Sequence, residues 1–554
     1  MFKRSNKITS LLVAAAAVVS LVPAGVSATE VKKIESQDGT VYTAASFKNG
    51  SYYIDGEDIN GNSNSAVYYV SPDGEYKELE DITSGSTAYN FATIYTNVDE
   101  GDYAVDMTNG TVLDTNIRED IVDDAGEALR KEIKKDTEDR YADANKARTY
   151  VDGNIIRKSG NYFLTKYTAA QGVNTPNNAG KLNVYCGKDG KYIDADYNLG
   201  KIKVNTTGAS GSITIENTED YEKDSKGFEV KASLSDISFI DHDLDSVYRF
   251  ATITIDSESP VTEINGRSVA ANVFNDVNGD KTKISYRVIQ KISKAAAFNK
   301  IDGANYAKTV TNYTISNKDG ETLDGLDGTG VIDNTKGYSY YIMNGKFSVY
   351  DTKTTSGEVK IRTYDLKSSN GYYYIDEGDT STEDCEVHGT TAAVKGAGGI
   401  LYRLDGGYLY TYNNNGDWDK FYKVDGAFDQ FEVENKDNMI LWNQEDGVYS
   451  VISTPAATPV SATATTTGTT TPAVTAGWVQ AENGTWTYNK TDGVKATGWI
   501  KDGSTWYFLN GSGVMKTGWI NDNGTWYYCN SSGAMLFNTT VDGYVLGATG
   551  AWSK

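Results

Sequence analysis

Short apolar and aromatic runs bounded by turn residues recur along most of the chain, and they predict strands. Ser51-Tyr52-Tyr53-Ile54 ends at Asp55-Gly56, and Ala66-Val67-Tyr68-Tyr69-Val70 ends at Ser71-Pro72-Asp73-Gly74. Tyr89-Asn90-Phe91-Ala92-Thr93-Ile94-Tyr95 alternates as a half-buried strand does. One stretch carries a different period. Ile117, Ile121, Ala125, Leu129 and Ile133 recur every four residues, predicting a helix from Ile117 to about Ala147 with Asn116 and Glu119 spaced for a reciprocal N-cap. Its other faces are charged, so one stripe packs it on the body. Further on, Gly371-Tyr372-Tyr373-Tyr374-Ile375, Gly407-Tyr408-Leu409-Tyr410 and Gly447-Val448-Tyr449-Ser450-Val451 predict antiparallel sheets, in a sandwich or part of a propeller. The fold class expected is mainly β and multi-domain.

The same patterns divide the chain. Residues 1–28 read as a signal peptide: Lys3, Arg4 and Lys7 precede the apolar run Leu11 to Val19, and Val26-Ser27-Ala28 supplies small residues for cleavage after Ala28. Residues 29–180 form a β-rich domain with the one helix. Residues 181–335 read as its duplicate, because Leu234-Ser235-Asp236-Ile237 echoes Leu79-Glu80-Asp81-Ile82, and Tyr248 to Ile253 echoes Tyr89 to Ile94. Chance likeness of β-rich sequence is the alternative. Residues 336–452 are a Tyr- and Gly-rich β domain, and 453–476 are an uncharged Thr/Ala/Pro linker with nothing to build a core from. No segment after residue 28 is long and apolar enough to span a bilayer, and Ala551-Trp552-Ser553-Lys554 has neither a hydrophobic tail nor a sorting motif.

Charge and rare residues narrow the function. Of the net −23, residues 1–28 carry +3, residues 453–476 nothing, and residues 477–554 balance five acids with five lysines; residues 29–452 therefore hold −26. Such a body repels nucleic-acid phosphate. Cys186, Cys385 and Cys529 build neither a disulfide framework nor a metal motif and are expected as buried or half-exposed structural residues. With only His242 and His388, a zinc amidase built on several histidines is disfavoured, and neither His sits in a catalytic motif. Asp241-His242-Asp243-Leu244-Asp245 resembles the start of a calcium loop but has Ser246 and Thr252 where Gly and Glu are needed. Asp276, Asn278 and Asp280 around Gly279 are a second partial match. No catalytic residues, metal or cofactor are assigned.

The densest pattern is C-terminal. Seven of the nine Trp residues lie in 477–554, in three units of roughly twenty residues: Gly477-Trp478 to Trp486-Thr487-Tyr488, Gly498-Trp499 to Trp506-Tyr507-Phe508, and Gly518-Trp519 to Trp526-Tyr527-Tyr528. Asn483-Gly484, Asp502-Gly503 and Asn523-Gly524 predict hairpin turns, and period two puts Trp486 with Tyr488, Trp506 with Phe508, and Trp526 with Tyr528 on shared faces. A lone hairpin is unstable, so the units must stack as a solenoid that buries some of these rings. Where hairpins meet, open π faces suit a quaternary ammonium or a sugar ring in a pocket without an acid.

These units resemble the choline-binding, or cell-wall-binding, repeats of Gram-positive surface proteins, over residues 477–554 only. Thr539 to Trp552 looks like that family's degenerate last repeat. The resemblance implies a β-hairpin solenoid whose ligand is choline on teichoic acid, held by two aromatics of one repeat and one of the next. Related repeats in other exported proteins bind glucans or host glycans, which makes a wall glycan the alternative ligand. Carried over by motif, the cages are Trp478, Trp486 and Phe508; Trp499, Trp506 and Tyr528; and Trp519, Trp526 and Tyr544. Three positions depart from the pattern: Phe508 stands for the usual Tyr, Thr487 for an aromatic, and Cys529 follows the third pair. The expected function is a secreted, cell-wall-associated, non-enzymatic surface protein, held non-covalently while it displays acidic β domains. The alternative is a wall hydrolase, glycosidase or amidase, targeted by the same repeats.

Overall fold

The computed structural model describes the chain from Lys32 to Trp552, apart from short loop stretches and the longer ones 134–138, 143–148, 151–161, 327–336 and 454–476. The signal-peptide reading of 1–28 and the linker reading of 453–476 lie essentially outside the described residues. The chain divides into two compact units, Met1–Thr458 and Pro459–Lys554. Both are built mainly of antiparallel β-structure, with a single α-helix among the described residues. No described helix is long and apolar enough to cross a membrane.

In the first unit the longest sheet runs from Glu229–His242 through Ser246–Ser257, Lys283–Ser293 and Val310–Thr314. There it joins Tyr372–Asp384 in parallel, at Thr314 opposite Tyr374, and continues through Glu358–Ser369, Lys346–Asp351 and Tyr338–Met343. Strands from either side of residue 336 therefore share one sheet. Against it packs a smaller sheet of Ile213–Asn217, Asn198–Thr206, Val261–Ile264 and Arg267–Ser268. The inward residues of both, among them Ile202, Val204, Ile215, Ile253, Ile255, Ile284 and Val288, form the largest core. This is the alternation of period two doing on each strand what it predicts. The two segments read as an echo differ in local structure: Leu79 to Ile82 form a turn, whereas Leu234 to Ile237 run within a strand.

The helix spans Ile117–Ile133. Ala125, Leu129 and Ile133 are fully buried and Ile117 and Ile121 partly so, which is the expected stripe. They lie against Tyr167, Leu182, Val184 and Cys186 of the sheet that contains Tyr162–Thr168 and Lys181–Gly187. The close approach needs Gly190: its φ is +79°, and a Cβ there would lie 2.5 Å from the Ala128 backbone carbonyl. The helix ends well before Ala147. After Ile133 the fourth-residue position is Thr137, so the stripe stops, and Tyr141 already pairs as an isolated bridge with Ala169. Arg140 is instead fully buried and bonds Asp194 at 2.9 Å and Glu219 at 2.7 Å.

The beginning and the end of the first unit meet. Lys32–Lys33 pairs in parallel with Trp418–Lys423, at Lys32 opposite Tyr422, and Gln37–Asp38 pairs with Val448–Ser453. Cys186, Cys385 and Cys529 are free and buried, and burial pushes the Cys385 and Cys529 thiols up to about 11.

A half-buried basic group carries a pH prediction. Lys294 Nζ lies 3.2 Å from His242 Nδ1, donates to the Asp243 carbonyl, and sits 4.3 Å from the Tyr162 ring centroid. Burial pushes its ammonium down to about 8, against the upward pull of Asp243, Asp245 and Asp241. The unfolded chain keeps this proton to about pH 10.4. Between about pH 8 and that value the unfolded state therefore binds more protons, and stability contributed at Lys294 rises with pH. In Lys294→Met this alkaline gain is lost. Melting temperatures of both proteins at neutral and alkaline pH test it: wild type gains on the variant as pH rises.

Candidate functional site

The second unit is a row of four two-stranded hairpins: Gly477–Gln480 with Trp486–Asn489, Gly498–Asp502 with Thr505–Leu509, Gly518–Asp522 with Thr525–Cys529, and Thr539–Val541 with Tyr544–Leu546. Residues 483–484, 503 and 523–524, where the turns were expected, lie outside the described residues. The first three hairpins open at a glycine with positive φ, +127° at Gly477, +75° at Gly498 and +80° at Gly518, where a side chain would be strained.

Main-chain bonds join each hairpin to the next repeat. The Met515 N–H donates to the Trp486 carbonyl at 2.7 Å, Met535 to Trp506 at 2.8 Å, and Trp552 to Trp526 at 2.8 Å. Met515 and Met535 lie against Gly533 and Gly550, whose backbones leave no space for a Cβ. Buried Ala496, Leu509, Ile520, Cys529 and Leu546 complete the neighbour-to-neighbour core.

Register sorts the rings by face. Trp478 lies opposite Tyr488 and Gln480 opposite Trp486; Trp499 lies opposite Phe508 and Lys501 opposite Trp506. One face of a hairpin thus carries both Trp residues. Tyr507 and Tyr527, between the shared-face positions, point to the other face. Stacking brings unlike faces together: Trp478 meets Tyr507 of the next hairpin at 4.8 Å, and Trp499 meets Tyr527 at 4.9 Å, both edge-on. Trp478 and Trp486 lie 6.4 Å apart, nearly perpendicular. The second Trp of each hairpin stays open at a constant level, with Trp486 38%, Trp506 40% and Trp526 39% exposed, so each repeat presents one wet indole beside one packed aromatic corner.

The residues singled out in the sequence are placed as follows. Trp478 and Trp486 come together, and Trp499 and Trp506 share a hairpin face. Phe508 does not cross to the first hairpin; it packs at 5.1 Å on Trp499 of its own. Tyr528 lies opposite Trp519 in the register of the third hairpin. Tyr544 packs at 5.1 Å on Trp552. The aromatic across each junction is the residue before the expected one, Tyr507 or Tyr527. The signal for it was the same period of two, applied to the stack rather than to the single strand. An acid is also present where none was expected: Trp478 Nε1–H donates to Asp502 Oδ2 at 2.9 Å. A carboxylate on the indole edge makes the ring face more negative and favours a cation over it. Lys501 Nζ lies 5.9 Å from the Trp506 ring.

In the first unit the Asp-rich turns spend their oxygens on the backbone. Asp243 accepts from the Asp245 and Ser246 amides and from Tyr248 Oη, and Asp241 from His242 and Ile342. Asp276 accepts from Gly279 and Lys281, and Asp280 from Thr282. Among the described residues no group of His, Cys, Asp and Glu is arranged to hold a metal. His388 Nδ1 pairs with Asp429 Oδ2 at 2.9 Å.

Residues 497–515 and 517–535 match the family model of a cell wall binding repeat, Choline_bind_1. The C-terminal repeats of this chain belong to the choline-binding, cell-wall-binding repeat family. Among solved structures, the choline binding domain of Spr1274 in Streptococcus pneumoniae is 44% identical over 14% of this chain and 96% of its own, with a TM-score of 0.14. CbpJ from Streptococcus pneumoniae TIGR4 is 19% identical over 74% of this chain and 100% of its own, with a TM-score of 0.14. The Cpl-1 endolysin complexed with a peptidoglycan analogue is 21% identical over 22% of this chain and 36% of its own, with a TM-score of 0.10. The comparison with curated proteins gave no match.

Proposed function

We propose that this is an exported surface protein held non-covalently to choline-bearing wall polymer by its C-terminal repeats, with the acidic β-rich unit carried as cargo. The observation that carries the reading is the junction itself: two Trp of one hairpin and the Tyr of the next converge edge to face, and one indole remains wet. A trimethylammonium group has no N–H to donate, so it is recognised by π faces, and desolvated contacts of this kind contribute about 2 kcal/mol or more. The cages are Trp478, Trp486 and Tyr507, then Trp499, Trp506 and Tyr527. Two cages on one rigid stack bind a polymer with many choline groups more tightly than either binds one.

The test is retention of the full chain on a quaternary-amine matrix, with release by free choline. Retention that choline leaves unchanged rejects the cages. Dye-labelled walls incubated with the same protein are expected to bind it and release no dye; release would replace passive attachment by the hydrolase reading.

A further inference from the structure

The two cages differ at one position of the hairpin. In register, Gln480 stands opposite Trp486, Lys501 opposite Trp506 and Asn521 opposite Trp526. Two of these are neutral amides and one is an ammonium. Lys501 follows Trp499 by two residues in the strand Gly498–Asp502, so alternation puts it on the face that carries Trp499 and Trp506. Its Nζ sits 5.9 Å from the Trp506 ring centroid, at the outer limit of a cation–π contact, and the residue is exposed. Asp502, the next residue, turns to the opposite face and accepts from Trp478 Nε1–H at the first junction. One dipeptide thus gives the first cage an anion and sets a cation on the rim of the second.

A cation on the rim acts on a ligand in two ways. It repels a bare quaternary ammonium held over Trp506 and competes with it for the same ring, whereas it attracts an anion that the ligand carries a few bonds from its nitrogen. We propose that Lys501 makes the second cage, Trp499, Trp506 and Tyr527, select a quaternary ammonium that bears a phosphate over choline itself, and that the first cage, with Asp502 beside it, has no such preference. This rests on the cage reading of the repeats and extends it to the part of the ligand outside the rings. At the second cage the trimethylammonium meets the π faces while the phosphate oxygens accept from the Lys501 ammonium, a charge-assisted bond. At the first cage the same phosphate meets the like charge of Asp502. The repeats therefore hold two sites of unlike selectivity, and a ligand without an anion fills the first before the second.

Calorimetric titration of the full chain with choline and with phosphocholine tests this, in the unaltered protein and in Lys501→Gln. Unit charges about 6 Å apart in water change an affinity about threefold. Lys501→Gln is therefore expected to move the two ligands in opposite directions at the second site, choline tighter and phosphocholine weaker by about that factor. A merely structural role for Lys501 would shift both the same way. Gln480→Lys is expected to confer the phosphocholine preference on the first site, and in the unaltered chain the preference is expected to shrink as salt rises. Ligands that move together in Lys501→Gln, affinities that do not change, or a preference indifferent to salt each overturn the proposal while leaving retention by the repeats intact. Loss of binding of both ligands to the unaltered chain, together with loss of retention on the quaternary-amine matrix, rejects the cages and this selectivity with them.

Discussion

Trp499→Ala with Trp506→Ala is expected to abolish retention on a quaternary-amine matrix at choline concentrations where the unaltered chain is held. The two side chains are the paired indoles of one hairpin face, and removing both empties the central junction. Each ring contributes about 0.5–2 kcal/mol to a cation over it. The loss is amplified because the junctions act together: with one cage gone, binding to an immobilised polymer falls back to single-site affinity. A sharper comparison lies in the third hairpin. Tyr527→Ala is expected to weaken retention about tenfold, since its ring closes on Trp499 at 4.9 Å, while Tyr528→Ala, which removes a ring of the other face, is expected to weaken it less. Equal effects of the two would restore the assignment made from motif alone. Circular dichroism on each variant reports whether the hairpin stack survives.

Replacing Arg249 by Met is expected to cost the first unit about 3–5 kcal/mol, read as a shift of the urea midpoint. Arg249 and Asp196 are wholly buried. Arg249 Nη1 donates to Asp196 Oδ1 at 2.8 Å, Nε to Gln290 at 2.9 Å and Nη2 to the Ala195 carbonyl at 2.7 Å, so its loss strands an anion and two acceptors in the interior. Asp196 Oδ2 also accepts from Asn183, on both its amide and its side chain, which an asparagine oxygen can do without charge. Arg249→Met with Asp196→Asn is therefore expected to recover a large part of the loss. Against a typical total of about 5–15 kcal/mol, the single change alone places the unit near unfolding.

Local periodicity was readable, and long-range pairing was not. The strand Ala66–Val70 follows from an apolar run closed by a turn and is buried on both faces, and the stripe from Ile117 to Ile133 follows from spacing, because burial of one helix face dictates the residues on it. The helix end did not follow: charged residues after Ile133 are tolerated in a surface helix, and only the buried contacts of Arg140 and Tyr141 show that the chain has turned inward. Nothing in Lys32-Lys33 or Gln37-Asp38 announces partners near 422 and 449, since two-residue strands carry no pattern. In the repeats, the Trp positions of each hairpin were legible from spacing and the ring across each junction was not: Phe508 and Tyr528 were carried over by family motif, whereas Trp478 meets Tyr507 and Trp499 meets Tyr527.

The pairing of the first strands with the last sets an order of events. A chain made from its N-terminus presents Lys32 and Gln37 long before Tyr422 and Tyr449 exist to receive them. Until then the early segment has no sheet to join, and its own backbone groups on those edges stay unpaired. Contacts of such sequence separation slow folding, and open edges recruit other chains. The first unit can thus complete these two sheets only after the chain has been made as far as Val448–Ser453, so a chain stopped before that point leaves its first segment without a partner.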